Sequence, residues 1–404
     1  MKIIHPLPKM RQAVLTQRRN LKMARSAHAY VRGNTVKFYE WLHSLRTDEL
    51  PVGPPIWICG DCHLGNLGPI ANASGRVEIG IRDLDQTVIG NPAHDLVRLG
   101  LSFATAARGS DLPGVTTAHI LENMIQGYEQ SLADPKSNSA KKANETEPIT
   151  AVLQKALKRK WHHLAEERIE DISPAIPLGE CFWPPSAAER RDITRLFETE
   201  DVRTLITSLG QRDSGDKVRI ADVAYWVKGC SSLGRLRYAA IVKVGKRKKG
   251  IPGFCLMDIK EATKAAAPSA PGASMPRDNA KRVVAGAQKL SPFLGSRMLA
   301  ATVCERSVVV RELLPQDLKL ELENLTQEEA VGAARFLAGV VGQAHGRQMS
   351  ESDRRKWLAE LQRNRSKNLD APSWLWTAVV DLSAIHEKAY LDHCRRYALE
   401  TRVR

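Results

Sequence analysis

Gly60-Asp61-Cys62-His63-Leu64-Gly65-Asn66 is followed by Ile81-Arg82-Asp83-Leu84-Asp85, and then by Gly90-Asn91-Pro92-Ala93-His94-Asp95-Leu96. A carboxylate and an amide five residues apart on one loop, with further carboxylates on the next hairpin, form an oxygen-rich set suited to Mg2+. Phosphoryl transfer asks for such a set. It needs metal ligands and a carboxylate aimed at the incoming hydroxyl more than it needs covalent help. In that arrangement Asp61 stands near the acceptor and Asn66 and Asp83 hold the metal, with Asp85 a rival or additional ligand. An isolated D-x-x-x-x-N says little, because Asp and Asn are common loop residues. Three segments in order at these spacings say much more.

Outward from that stretch, Pro55–Cys59 (PIWIC) reads as a short apolar strand running into the loop, and Arg76–Ile81 as a second strand after a glycine-containing turn. Residues 64–69 read as loop. Upstream, residues 8–48 read as helices interrupted near Arg32-Gly33. Downstream, residues 92–132 carry helical spacing in Leu96, Leu99 and Phe103, then Ile120, Met124 and Tyr128. Residues 133–147 are polar and read as a loose loop, with helices resuming at 148–168 and 186–209.

The pattern then changes. Val218–Lys228, Leu236–Val244, Phe254–Ile259, Leu299–Cys304 and Val308–Leu313 alternate or run apolar with β-branched residues, with one helical insert at Asp278–Leu290. From Thr326 onwards the chain reads helical again. Gly229-Cys230-Ser231-Ser232-Leu233-Gly234 is a small-residue turn between two strands, where backbone amides can approach phosphates closely. Gly229, Ser231, Ser232 and Gly234 are therefore candidate phosphate contacts. Lys260, on an otherwise apolar strand, is a candidate to reach the α- and β-phosphates.

The first three segments resemble those of small-molecule kinases of the aminoglycoside and choline kinase type, which carry GD-x-H-x-GN, a strand ending in Ile-Asp, and a G-D/N-P-x-x-D-L stretch. Asp61, His63, Gly65, Asn66, Asp83, Asp95 and Leu96 fall on that pattern. The resemblance implies that Asp83 is the principal metal ligand and that Asp95 bonds backbone amides of the catalytic region; His63 is read as orienting the loop rather than reacting. It further implies ATP and Mg2+ as cofactors and a small-molecule hydroxyl as acceptor. The strand near Val308–Pro315 would then be the hinge, with backbone groups of Glu312 and Leu314 offered to adenine. Kinases pair the strand lysine with a glutamate on the next helix. Here Asp278–Leu290 holds none, and Asp278 and Gln288 are its only polar candidates for that role.

In kinases the nucleotide-binding lobe precedes the catalytic loop, whereas here it follows. The expected fold is α+β: a two-lobed, protein-kinase-like architecture in circularly permuted order, with a small five-stranded antiparallel sheet lobe and a larger helical lobe. The expected divisions are an N-terminal helical segment at 1–50, the catalytic-loop part at 51–215, the nucleotide-binding sheet at 216–315 and completing helices at 316–404. This order resembles the bacterial family called domain of unknown function 2252. Ser26–Gly33 (SAHAYVRG), Gly60–Asn66, Arg82–Asp85, Gly229–Gly234, Lys260–Ala262, Arg282–Gln288 (RVVAGAQ) and Ala344–Arg347 (AHGR) carry the likeness. Departures are Arg82 for Asn, Ser231 for Gly and Ala287 inserted before Gln288.

Other readings compete. A nucleotide-binding pseudokinase or a nucleotidyl transferase would keep the fold. The net charge of +15 suggests a basic scaffold for anions or nucleic acid, with positive density at 243–249, 354–356 and 395–404. Aromatics at 5% are too few for a base-stacking platform. Arg32 is a candidate contact for an anionic substrate. Cys59-Gly60-Asp61-Cys62-His63 also matches C-x-x-C-H, but no export signal is seen for haem attachment, no second ligand pair for zinc and no following helix for a redox pair, and the odd, mostly scattered cysteines argue against a disulfide framework. No apolar run nears the roughly 20 residues that span a bilayer. A cytoplasmic protein with no membrane partner is expected.

Overall fold

Pro8 opens the first helix, where its missing amide leaves nothing unsatisfied. That helix, α1 (Pro8–Met23), buries Arg11, Leu15 and Met23. The computed structural model describes residues 5–46, 49–137, 147–158, 175–209, 212–245, 253–317, 326–363 and 371–399. Two short helices follow, each started by a side-chain cap. Ser26 accepts from Ala29 N at the start of α2 (Ala27–Gly33), and Asn34 accepts from Lys37 N at the start of α3 (Thr35–Ser44).

Four short strands then frame the loop of interest: β1 (Ile56–Ile58), β2 (Leu67–Ala71), β3 (Val77–Ile81) and β4 (Val88–Gly90). β1 pairs antiparallel with β4, and β2 with β3. The expectation of loop at 64–69 is corrected. A 3-10 turn spans Leu64–Asn66 and β2 begins at Leu67, its Pro69 tolerated on an edge strand. Helices α4 (Ala93–Gly109), α5 (Gly114–Ala133) and α6 (Glu147–Lys158) follow. Much of the expected loose loop, and residues 159–168 of the expected helix, lie outside the described residues.

The large sheet is built from β5 (Phe182–Trp183), β6 (Val218–Trp226), β7 (Arg237–Val244), β8 (Phe254–Glu261), β9 (Met298–Val303) and β10 (Arg306–Leu313). Its order is β5-β6-β7-β8-β10-β9, and every neighbouring pair is antiparallel. The expected five strands gain a sixth, β5, which pairs Phe182 with Trp226 and Trp183 with Tyr225. Helices α7 (Ala187–Glu198) and α8 (Glu200–Thr207) lie between β5 and β6, and α9 (Asn279–Leu290) and α10 (Pro292–Gly295) between β8 and β9. The chain ends in α11 (Gln327–Gly346), α12 (Glu351–Gln362) and α13 (Ser373–Tyr397). Thr326 and Glu329 form a capping box at the start of α11.

Apolar burial follows this α+β arrangement. One face of the sheet packs Tyr238, Met257, Ile259 and Val310 with Leu15 of α1 and Ile193 and Phe197 of α7. The other face carries Ala239, Ile241, Leu256 and Leu313. A larger core joins α4, α5, α11 and α13 to the β1–β4 hairpins. Glycine permits the closest crossing there. A Cβ on Gly127 of α5 would lie 1.9 Å from the Arg335 carbonyl oxygen of α11, and one on Gly342 would lie 2.3 Å from the Tyr128 carbonyl oxygen. Gly127→Ala should therefore push the two helices apart and cost about 1–3 kcal/mol. An unchanged urea midpoint would show that this crossing is not tight. Among the described residues no helix is long and apolar enough to cross a membrane.

Candidate functional site

Asp95, in the first turn of α4, positions the loop that follows β1. Its buried carboxylate accepts from the amides of Cys59 (2.7 Å) and Gly60 (2.9 Å), and His345 Nε2 of α11 stands 3.1 Å away. Gly60 has φ +75°, and a Cβ there would lie 2.2 Å from the Gln86 carbonyl oxygen, so only glycine takes this turn without strain. The Tyr39 hydroxyl donates to the Gly60 carbonyl.

Asp61 is then held on both oxygens. Arg98 Nε donates to Oδ1 (2.9 Å) and Thr35 Oγ1 to Oδ2 (2.8 Å), and Asp61 is only 8% exposed. Arg98 also reaches the Val31 carbonyl of α2 (2.6 Å). Asn66 Nδ2 donates to the Asp61 carbonyl (2.9 Å), which leaves its oxygen as the atom suited to a cation. His63 Nδ1 accepts the Gly65 amide (3.1 Å), placing the ring proton on Nε2, 3.9 Å from Asp61 Oδ2. Burial lowers the His63 pKa to about 3, so the ring is neutral and holds the loop in shape.

Asp83 and Asp85 leave β3 on the same side and meet Lys260 of β8, 177 residues away from Asp83. Lys260 Nζ lies 2.7 Å from Asp85 Oδ2 and 3.1 Å from Asp83 Oδ2. Burial raises both carboxyls. At Asp83 the Lys260 ammonium prevails and holds it well below the usual range. At Asp85 burial and the Asp83 charge win, and it lies above. Burial works against the Lys260 charge, but the two carboxylates keep its pKa above the usual value. Asp278 and Gln288 are thus not the lysine's partners. Asp278 caps α9, bonding Lys281 N and Ser307 Oγ. Beside Lys260, on the paired strand, Arg237 makes a buried two-pronged contact with Asp258 (2.8 and 2.6 Å), and Arg311 stands 3.5 Å from the same carboxylate.

The small-residue turn runs straight into this cluster, since it delivers Arg237 directly opposite Lys260. Gly229 and Gly234 have φ +99° and +98°, so the glycines are required at both ends. Ser232 Oγ bonds back to the Lys228 carbonyl (3.4 Å), while Ser231 is exposed. Lys22 of α1 donates to the Gly229 carbonyl (2.8 Å). At the expected hinge the backbone groups are engaged within the chain. The Glu312 carbonyl accepts from Arg297 Nη1 (2.9 Å) and its carboxylate is clamped by Arg212. Both backbone groups of Leu314 bond Asp317. Those groups already have partners, because a proline turn bends the chain at once after β10. Arg82, Lys228, Arg311 and Leu314 line a small gap there.

Cys59 and Cys62 are buried within the loop. The Cys62 contact and burial raise the Cys59 thiol well above its ordinary value. At Cys62 the bond to Cys59 acts to lower the thiol, but burial together with the Asp95 and Asp61 charges outweighs it and the net shift is upward, so both are protonated and inert. Among the described residues no group of three His, Cys, Asp or Glu side chains is set to hold a metal. Mg2+ asks for less, one or two carboxylates when phosphates and waters supply the rest. Asp83, Asp85 and the Asn66 oxygen fit that demand. Arg98 and Thr35 are the important residues that sequence reasoning passed over. The available signal was an arginine inside the apolar run Leu96-Val97-Arg98-Leu99.

The class defined by fold and site is an α+β protein in which a sheet lysine meets the carboxylates of an early glycine-bounded loop and hairpin. The chain belongs to the family described as "Uncharacterized protein conserved in bacteria (DUF2252)", whose model matches residues 11–396. Neither a curated protein nor a solved structure matches it.

Proposed function

We propose that this protein is an ATP- and Mg2+-dependent phosphotransferase of the kinase-like superfamily, acting on a small-molecule hydroxyl. The observation that carries the reading is Lys260, which bridges from the sheet to Asp83 and Asp85. An ammonium beside two carboxylates next to a glycine turn is the charge pattern that a magnesium triphosphate complements. The strand–turn–strand–lysine strand–helix–two-strand order of 218–313 also supports it.

Asp83, Asp85 and Asn66 would hold the metal, which when bound offsets phosphate charge. Lys260 and the 229–234 turn would bind the phosphates, with Lys260 leaving a carboxylate to do so. Asp61 would orient the acceptor hydroxyl. ATP should bind in a Mg2+-dependent way, and Asp83→Ala should weaken it at least tenfold, about 1.4 kcal/mol. Calorimetric titration with and without Mg2+ checks this. Equal affinity in wild type and variant would remove the metal assignment.

A second reading is a nucleotide-binding module without phosphoryl transfer, favoured by the pairing of both Asp61 oxygens with Arg98 and Thr35. An assay that separates release of γ-phosphate, transfer of AMP and no turnover decides between the two.

A further inference from the structure

The end of α2 lies where the two halves of the candidate site converge. A Cβ placed on Gly65 would lie 2.6 Å from Arg32 Nη2, so the Arg32 guanidinium rests directly on the Asp61–Asn66 loop. A Cβ on the next residue, Gly33, would lie 3.1 Å from Cys230 Sγ, so the glycine turn abuts the same point from the other side. Arg98 ties α2 to Asp61 through the Val31 carbonyl. Arg32 is therefore fixed between the turn that would hold nucleotide phosphates and the loop that would orient an acceptor.

Its chemistry there is unspent. Arg32 Nε is buried without a hydrogen-bond partner among the described residues. A buried guanidinium nitrogen left unpaired is costly, and an oxyanion is the group that a guanidinium fork satisfies best. The surroundings are of one sign. After burial, the strongest influences on the Cys230 thiol are Lys22, Arg32, Arg19 and Arg25, all cations. Three of them come from α1 and its end, and α1 is strapped over the turn by Lys22 and by the approach of Thr16 to Gly234. Four cations at one rim suit a dianion better than a monocarboxylate.

We propose that the phosphoryl acceptor is a small molecule that already carries a phosphate group, held by Arg32 with Arg25 and Lys22 beside the glycine turn. This rests on the phosphotransferase reading for the word acceptor, but the anion site itself does not.

The probe is inorganic phosphate, titrated by calorimetry against the full chain, alone and saturated with Mg2+ and the non-hydrolysable triphosphate AMP-PNP. The analogue fills the γ-phosphate position, so phosphate bound alongside it occupies a separate place. Phosphate is expected to bind in both conditions. Arg32→Gln should weaken it at least tenfold while AMP-PNP affinity stays within twofold. Arg25→Gln, on an exposed side chain, should weaken it about threefold with no effect on folding. Phosphate that fails to bind, binds both variants as well as wild type, or is displaced by AMP-PNP overturns the proposal. If AMP-PNP itself does not bind wild type, the nucleotide reading fails. Arg32-dependent phosphate binding to the free protein then still decides the anion site.

Discussion

Asp95→Ala should cost about 3–5 kcal/mol of folding free energy and release the loop that carries Asp61. The carboxylate is 1% exposed and holds the amides of Cys59 and Gly60. Each amide left unpaired costs about 1–3 kcal/mol, since water cannot reach it. The loss spreads further, because His345 Nδ1 is hydrogen-bonded to the Tyr128 hydroxyl (3.0 Å), which accepts from Trp357 Nε1 (3.1 Å). A chain of contacts from α12 through α5 and α11 thus ends on the loop backbone. Asp95→Asn keeps the shape but presents an NH2 where one amide needs an acceptor, so it should lose roughly half as much. Urea unfolding measures both. A midpoint in Asp95→Ala equal to that of wild type would show that the loop is positioned by something else.

The parts of this architecture that were legible are those with a local signal. Period-two runs marked β6 to β10 to within a few residues, and small residues at Gly229 and Gly234 marked the turn between β6 and β7. Asp83, Asp85 and Lys260 could be singled out because charged residues interrupt apolar strands or close a hairpin. Their mutual contact could not be read, since 177 residues separate Asp83 from Lys260. Long-range packing brings the hairpin to the sheet: Arg282 of α9 bonds the carbonyls of Thr87, Asp85 and Thr263, and Arg311 of β10 bonds the Arg82 carbonyl. β5 was invisible for a different reason. Two residues, Phe182 and Trp183, have no period, and their strand exists only because β6 offers an edge. The pairing of Asp61 with Arg98 was hidden by the apolar run around Arg98, which reads as helix core. The partners of the Glu312 carbonyl and the Leu314 amide, Arg297 and Asp317, were equally invisible, because such hydrogen bonds leave no trace in residue spacing.

Acidification should unfold this protein from the histidines before the carboxylates. Burial lowers the pKa of His63 to about 3 and those of His94 and His386 to about 4, from an ordinary 6.5. The unfolded chain takes up these protons below pH 6.5 and the native chain does not, so stability is full above 6.5 and falls until the folded values are reached. Each group contributes up to about 1.4 kcal/mol per pH unit, and from pH 6.5 to 5 the three together remove about 5 kcal/mol. Carboxylates held low, such as Asp258 and Glu189, act in the same sense only below their ordinary values near 4. Asp85, raised, opposes weakly. Geometry explains the refusal of protons. His386 Nδ1 donates to the Leu382 carbonyl, and its buried Nε2 has no partner to receive a new N–H. Protonating His63 would set an N–H against the Gly65 amide that Nδ1 now accepts. Urea midpoints at pH 7.5, 6.5, 5.5 and 5.0 test this, and stability unchanged across the range would sink it. His386→Phe, which carries no proton at any pH, should remove about a third of the slope. Because native His63 stays neutral down to about pH 3, the Asp61–Asn66 loop should keep its shape in the folded protein throughout this window, and the loss should appear only in the unfolding equilibrium.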